Sequence, residues 1–413
     1  MVGRSRRGAA GLVCSVDRLA SEAGAAALGR GGNSVDAAIA ASAALAVTTP
    51  HMCGMGGDLF ALVHGPATGA ATPLALNASG RAGSGADPER LRAEGRTTMP
   101  FRGDVRSAPV PGCVDGWLAL HDRLGTLALP DVLAPAIALA EEGFEPSPLL
   151  TFMLPGLGGV TGCDELVEAA PAVGLQLRRP GPARLLRAVA TGGRDAFYGG
   201  EFGARLLEVG AGEYTAEDLA APSADWVDGL ALDVWGQRVW TVPPNSQGYL
   251  SLAAAWIAER VGLPGGPVGP AGDEWAHATV ESARLAGHDR PNVLHEGADG
   301  AALLDPVRLA SLADHFDPDG VAVLPDQTRG GGTIYLCASD ADGNGVSLIQ
   351  SNASGFGCHV AVPGTGVLLH NRGVGFNLAP GHPAEYGPRR RPPHPLPALV
   401  TGLDGSLQAL WAR

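Results

Sequence analysis

The chain has 413 residues, 45% of them hydrophobic and 17% charged, which is a globular composition and excludes an intrinsically disordered chain. Its formal net charge is −13, and this disfavours nucleic-acid binding because phosphate backbones attract basic surfaces. All 29 basic residues are arginine, so Schiff-base lysines, P-loop lysines and Ser-Lys dyads are excluded.

The N-terminal segment has a positive flank but no apolar stretch of useful length before Asp17 and Arg18, so we predict no signal peptide. The longest apolar run, residues 37–47, is too short and too rich in alanine to span a bilayer. These features predict a cytoplasmic protein without a membrane partner.

Two helices are predicted in the next part of the chain. Residues 17–30 have helical apolar spacing and stop at a glycine pair. Asn33 or Ser34 then caps a helix over 34–47, with Asp36 in its first turn. Because this second helix is apolar on all sides, we expect it to be buried.

Strands and further helices follow. A glycine-rich turn at 50–58 leads into a predicted strand over 59–64, and residues 73–80 are predicted to form its neighbour. The middle of the chain, 112–290, alternates helical segments with Pro/Gly breaks. We predict that it is mostly helical, with one short extended piece at 231–242.

The C-terminal part is predicted to be rich in strands. The segments TIYLCASD and VSLIQSN flank the turn ADGNG, a pattern that predicts a β-hairpin starting near Thr333. Residues 366–371 are predicted to form a further strand. The Pro/Arg-rich stretch 387–397 contains Arg389, Arg390 and Arg391 and is predicted to be an exposed, solvated loop.

Familiar cofactor and metal motifs are not found. The segment GLGGVTG (156–162) resembles a dinucleotide fingerprint, but its spacing is wrong and no strand precedes it. The six cysteines form no CxxC pair and the eleven histidines are scattered, so we expect no metal centre and no cofactor. Several cysteines lie in apolar runs and are predicted to be buried free thiols.

Three glycines precede Thr333 at the mouth of a predicted strand. If the Gly332–Thr333 bond is cut, the new α-amine, with a pKa of about 7.7–8.0, can act as the base for the threonine hydroxyl. The hydroxyl can also make the cut, because glycine tolerates the strained backbone that this requires. The alternatives are a plain loop before a strand and, less favoured, a cysteine hydrolase using Cys53 or Cys337.

Several segments resemble the gamma-glutamyltransferase family. They are GGNSVDAAIAASAALAVTTPHMCGMGGDLFALVH, PPNSQG, VESARLAGHDR, TIYLCASDADGN and FGCHVAVPGTGVLLHNRGVGFNL, in the family order over nearly the whole chain. The resemblance implies an α/β fold, the four-layer α/β/β/α sandwich of N-terminal nucleophile hydrolases. It also implies a proenzyme that cleaves itself before a threonine and then moves γ-glutamyl groups from glutathione-like donors to water or an amino acid.

The resemblance assigns roles to particular residues. Cleavage falls between Gly332 and Thr333, Thr333 is the nucleophile, and Ser351 supplies a hydroxyl that contacts it. Residues 1–332 then form the large-chain region of a single sandwich domain, and residues 333–413 form the start of its small-chain region. The expected partners are a small-molecule substrate and the two chains of one precursor.

Substrate contacts match the family in part. Arg81 corresponds to the arginine that holds the donor's α-carboxylate. The asparagine that contacts the donor falls on Ala353, with Asn352 beside it. The acidic residue that binds the donor's α-amino group falls on Gly375, so HNRGVGF resembles the hydrolase-like branch, which includes cephalosporin acylase-type enzymes and small-amide amidohydrolases.

The end of the chain also departs from the family pattern. The glycine pair whose amides form the family's oxyanion hole is not found after GLDGSLQALWAR, so we expect a sandwich that is incomplete at its C-terminal end. Losing a single oxyanion donor costs about 10²–10³ in rate. The sequence predicts a self-cleaving threonine amide hydrolase or acyltransferase acting on γ-glutamyl compounds such as glutathione. The alternatives are a hydrolase of another small amide or acyl-amide and a truncated, catalytically inactive remnant.

Overall fold

A computed structural model describes residues 8–168, 176–263, 272–324, 333–394 and 398–411. Twelve strands lie in these ranges: β1 (Gly11–Cys14), β2 (Asp58–His64), β3 (Leu74–Ala78), β4 (Asp225–Asp228), β5 (Leu230–Val234), β6 (Gln237–Thr241), β7 (Ile334–Asp340), β8 (Gly345–Ser351), β9 (Ala361–Val362), β10 (Val367–Leu368), β11 (Ala398–Gly402) and β12 (Leu407–Trp411).

The same ranges contain fifteen α-helices. They are α1 (Arg18–Gly29), α2 (Ser34–Thr48), α3 (Pro88–Ala93), α4 (Cys113–Leu124), α5 (Leu129–Glu142), α6 (Pro148–Met153), α7 (Asp164–Glu168), α8 (Pro180–Tyr198), α9 (Glu201–Val209), α10 (Ala216–Ala220), α11 (Tyr249–Arg260), α12 (Asp273–Gly287), α13 (Arg290–Val293), α14 (Gly300–Leu303) and α15 (Pro306–Ala313). None of these helices is long and apolar enough to cross a membrane.

The strands form two main antiparallel sheets and a small ribbon of β9 and β10. The first sheet has the order β1-β7-β8-β2-β3-β4, and the second has the order β12-β11-β6-β5. Apolar side chains from both sheets meet between them, namely Phe60, Leu62, Ala75 and Ile349 from the first and Trp240, Val242 and Leu399 from the second.

Helices cover the outer faces of this sheet pair. The largest core cluster joins the first sheet to α1, α2, α4, α5 and α8, and a second cluster joins the other sheet to α11, α12 and α15. The layers therefore run helix, sheet, sheet, helix, as the family resemblance implies. Each sheet buries one face against the other and one against helices.

The helix α2 is buried along its whole length, as its all-apolar sequence predicts. Asn33 caps it, and Asp36 completes a capping box. The one hydroxyl in its middle is satisfied, because Ser42 donates to Gln350 Oε1 at 2.8 Å and accepts from Trp117 Nε1 at 2.7 Å. These two hydrogen bonds join the middle of α2 to β8 and α4.

Two regional predictions need correction. The predicted extended piece at 231–242 is two strands, β5 and β6, which form a hairpin in the second sheet. The strand just before it, β4, was not predicted and joins the first sheet. The predicted exposed loop at 387–397 is wrong for Arg391 and His394, which are buried; residues 395–397 lie outside the described ranges. Arg391 is buried because Asp225, distant in sequence, neutralises it at 2.9 Å.

Cysteine burial largely follows the sequence prediction. All six thiols are free; Cys53, Cys113, Cys163 and Cys358 are buried, as the apolar runs around several of them predict. The remaining two, Cys14 and Cys337, have solvent exposure.

Candidate active site

Three polar residues lie in line across neighbouring strands at one end of the first sheet. Asp58 begins β2 and pairs with Ser351, the last residue of β8. Thr333 immediately precedes β7, whose Ile334 pairs with Gln350, so Thr333 comes opposite Ser351. The Oγ1 of Thr333 and the Oγ of Ser351 are 3.2 Å apart.

These side chains point into the space between the two sheets. Side chains alternate along a strand, and Asp58 shares its face with Phe60, which belongs to the inter-sheet cluster. Ser351 shares its face with Ile349 in the same way. Ser351 and Asp58 are fully buried, whereas Thr333 is half-buried. A small molecule that entered the end of this layer would therefore meet Thr333 first.

The hydroxyl of Ser351 is held by two donors. Arg372 Nη2 donates to its Oγ at 2.9 Å, and the Ala353 amide donates at 2.8 Å. A hydroxyl has two acceptor lone pairs and one hydrogen to donate. Because both lone pairs are engaged, the Ser351 hydroxyl can serve Thr333 Oγ1 as a donor.

Asp58 is the centre of a buried charged cluster. Its Oδ2 lies 3.0 Å from Arg372 Nε, 3.2 Å from His370 Nδ1 and 2.5 Å from His394 Nε2. Burial by itself raises the pKa of the Asp58 carboxyl, but the charges of His394 and Arg372 and hydrogen bonds from both histidines hold it well below its usual value. The carboxylate therefore fixes Arg372, which in turn fixes Ser351.

The two histidines come from two separate connecting segments. His370 Nε2 donates to the Pro109 carbonyl at 2.9 Å, so both of its ring nitrogens face acceptor oxygens. His394 precedes β11, which begins at Ala398 in the second sheet. Its ring packs against the ring of Phe60 in the first sheet, with centroids 4.4 Å apart. The cluster therefore ties the two sheets together at the end where Thr333 lies.

The glycine-rich turn at 53–57 brings the backbone close to this cluster. A Cβ on Gly57 would lie 2.4 Å from the Ser351 carbonyl oxygen, and one on Gly56 would lie 2.2 Å from the Leu368 carbonyl oxygen. Only glycine permits such an approach. These residues allow Asp58 to follow the turn directly opposite Ser351.

Asn352 and Ala353 follow the strand end. Asn352 is buried, and its amide Nδ2 donates to the Pro50 carbonyl at 3.1 Å. Ala353 has a φ of 70°, in the left-handed region, which an alanine adopts at a cost of about 1–2 kcal/mol. The strained backbone aims the Ala353 amide at Ser351 Oγ.

Gly375 occupies the position at which the resemblance places an acid. A Cβ there would lie 2.8 Å from the carbonyl oxygen of Pro393. Any side chain at position 375 would therefore require the 391–394 segment to move. Among the described residues, the site has no carboxylate at this position.

Arg81 contacts a different set of residues. Its guanidinium pairs with Glu296 and, at 3.4 Å, with Asp225. A substrate carboxylate would have to compete with these two acids, and the role of Arg81 stays a prediction. Gly332, the other residue of the predicted cleavage site, lies outside the described residues.

Sequence reasoning missed Asp58, Arg372, His370 and His394 as parts of the site. Arg372 and His370 lie in the motif that carries the family resemblance, and this position could have identified them as parts of the site. His394 lies in a segment whose prolines and arginines are typical of an exposed loop. The described residues contain no cluster of three or more histidine, cysteine or acidic side chains suited to a metal ion.

Comparisons with known proteins bear on the family and the fold. A family model described as gamma-glutamyltranspeptidase matches residues 20–411. The chain is 35% identical to the glutathione hydrolase-like YwrD proenzyme of Bacillus subtilis (strain 168), covering 94% of this chain and 76% of that protein. It is 33% identical to the oxamate amidohydrolase proenzyme of Klebsiella pneumoniae subsp. pneumoniae, covering 96% and 77%. Cephalosporin acylase from Bacillus halodurans has a similar structure, with a TM-score of 0.87, 32% identity and coverage of 99% and 79%.

Proposed function

Because this chain belongs to the gamma-glutamyltranspeptidase family, whose members are hydrolases and acyltransferases, we propose that it is a self-cleaving amide hydrolase with Thr333 as nucleophile. The observation that carries the proposal is the contact between Thr333 and Ser351 in line with the buried Asp58–Arg372 pair. The arrangement gives the threonine oxygen a hydrogen-bond donor whose position is set by a buried charge.

Self-cleavage begins when Thr333 Oγ1 attacks the carbonyl carbon of Gly332. The peptide C–N bond breaks, the acyl group moves to oxygen as an ester, and the nitrogen becomes the α-amine of Thr333. Water then hydrolyses the ester and leaves a carboxylate on Gly332. The products are a large chain, 1–332, and a small chain that begins at Thr333.

Turnover uses the new α-amine as the general base. The amine takes the proton from Thr333 Oγ1 as this oxygen attacks the substrate carbonyl, and it returns the proton to the departing nitrogen. Water or an amino acid then releases the acyl group. The Ser351 hydroxyl, held by Arg372, donates to Thr333 Oγ1 and favours the negative charge that develops on this oxygen.

The substrate proposed first is a γ-glutamyl amide such as glutathione, in keeping with the relatives named glutathione hydrolase. A second candidate is an amide whose acyl group has no α-ammonium. Gly375 favours it, because the acid that would pair with an ammonium is replaced by a residue packed against the Pro393 carbonyl. The similarity to an oxamate amidohydrolase and to acylases supports the same reading.

A matched pair of anilides distinguishes these candidates. Glutaryl-p-nitroanilide differs from γ-glutamyl-p-nitroanilide only in lacking the α-amino group. If the second candidate is right, kcat/KM for the glutaryl compound should be higher by about 10-fold, because an ammonium buried without an anionic partner costs at least about 1.4 kcal/mol. A 10-fold preference for the γ-glutamyl compound would contradict the second candidate. No turnover of any amide by a chain that stays uncut would instead support the inactive alternative.

Replacing Arg372 tests the positioning of Ser351. In Arg372→Lys the charge remains, but one ammonium cannot reproduce the two separate contacts with Asp58 and Ser351. We expect self-cleavage and kcat to fall by about 10²-fold with little change in KM. Arg389→Lys is the matched control, because the Arg389 side chain is 60% exposed.

The Arg372 experiment needs a check on folding. Thermal unfolding of both variants shows whether the lysine chain is folded at the assay temperature. A folded Arg372→Lys chain with wild-type cleavage and kcat would show that Arg372 does not position Ser351.

A further inference from the structure

Two cysteines that the proposed mechanism does not use face each other across two strands. Cys14 ends β1 and pairs directly with Cys337 in the middle of β7. Both are free thiols; Cys14 is exposed and Cys337 is half-buried. Directly opposite residues of neighbouring strands point to the same face of a sheet, so both sulfurs lie on one face.

The geometry of this pair suits a covalent bond. Directly opposite Cα atoms in antiparallel strands are about 4.5 or 5.5 Å apart, and disulfides join Cα atoms about 4.4–6.8 Å apart. The strand β1 has four residues and lies at the edge of its sheet, so it can make the small shift that brings the Cβ atoms closer.

We propose that Cys14 and Cys337 form a cross-strand disulfide when the protein meets a small-molecule disulfide such as glutathione disulfide. The thiolate of Cys14 attacks one sulfur of the oxidant, the S–S bond breaks, and one glutathione thiolate leaves. Cys337 then attacks the Cys14 sulfur and displaces the second glutathione. Two protein thiols are oxidised, one disulfide is reduced to two thiols, and the leaving thiolates take up the two protons.

Exposure determines the order and the selectivity of the reaction. Cys14 is accessible and attacks first. Burial raises the pKa of the Cys337 thiol and slows its attack on external oxidants, but Cys337 lies directly opposite Cys14 and can react in the second, intramolecular step. The other four cysteines are buried, and burial raises the pKa of Cys53 and Cys358 to about 12. They should stay reduced under the same conditions.

The consequence rests on the proposed self-cleavage. β1 belongs to the part of the chain before Thr333 and β7 to the part after it. Once the Gly332–Thr333 bond is cut, the disulfide would be a covalent link between the two products. It would hold the small chain, with its N-terminal threonine, on the large one.

The test treats the folded protein with glutathione disulfide, alkylates the remaining thiols under denaturing conditions and measures intact mass. A Thr333→Ala chain, expected to stay uncut, is analysed in parallel. We expect that chain to lose two hydrogen atoms without a retained glutathione and with four alkylated thiols. Trypsin should release a peptide pair joined through Cys14 and Cys337. In the cleaved protein, a non-reducing gel should show one band that reduction separates into two.

Single replacements complete the test. Cys14→Ser and Cys337→Ser should each lose the linked form, whereas the buried Cys163→Ser should retain it. Retained glutathione on Cys14 without a cross-link, or a dimer linked between two copies, would overturn the proposal. Because the uncut Thr333→Ala chain reports the disulfide by mass alone, failure of the disulfide is distinguishable from failure of self-cleavage.

Discussion

A Thr333→Ala chain should remain a single band on a denaturing gel, whereas the unmodified chain should separate into two, the smaller beginning at Thr333. The alanine removes the only atom that can attack the Gly332 carbonyl in the proposed route, and it also removes the acylated oxygen. Amide hydrolysis should fall by about 10³-fold or more, as in enzymes that lose a covalent nucleophile. N-terminal sequencing and anilide release measure the two effects.

Two further variants serve as controls for Thr333→Ala. Thr333→Ser keeps a hydroxyl at the same position and should still cleave, at a reduced rate. Thr191→Ala removes a threonine from an exposed position on α8 and should behave as the unmodified chain. Cleavage at the same bond in Thr333→Ala would show that the threonine does not make the cut. Turnover at the original rate in that variant would exclude it as the catalytic nucleophile.

Among the replacements described, Asp58→Asn should cause the largest decrease in the free energy of unfolding. The carboxylate is fully buried and faces Arg372, His370 and His394, so its replacement leaves the buried Arg372 guanidinium without its anion. Breaking a buried ion pair costs about 3–5 kcal/mol. Urea unfolding at neutral pH should show a loss of this size, and self-cleavage should slow because Arg372 loses its anchor.

The same variant should change how stability depends on pH. The folded-state pKa of Asp58 lies well below its unfolded value of about 3.9, so the unfolded chain binds the proton more readily. The stabilisation by Asp58 is therefore complete above the unfolded pKa and is lost as pH falls through the folded pKa. We expect the stability gap between the two chains to be constant near neutral pH and to narrow below about pH 4.

Asp342→Asn is the control for both measurements. Asp342 is exposed in the turn between β7 and β8, and its replacement should leave the free energy of unfolding within about 0.5 kcal/mol of the original. An Asp58→Asn chain as stable as this control would show that the buried cluster does not depend on the carboxylate charge.

Sequence reasoning reached much of the fold through patterns that are local. Asn33 and Asp36 lie three residues apart and predict the start of α2, and the glycine and asparagine between β7 and β8 predict their hairpin. Three glycines before a strand drew attention to Thr333, the family resemblance made it the predicted nucleophile, and the same motif pointed to the Ser351 hydroxyl; both roles stay predictions. Sequence missed the strands β4 and β5 as separate elements, since each is short and only partly buried.

The sequence by itself determined the composition class, the family, the main helices and the pairing of β7 with β8, because these depend on neighbouring residues or on long motifs. Only the tertiary structure decided that Asp58 lies beside His370, Arg372 and His394. Buried charges need partners, and here those partners come from segments about 300 residues apart in the chain. No local pattern distinguishes a histidine in a proline-rich loop from one that anchors a buried carboxylate, because the difference is made by what packs against it.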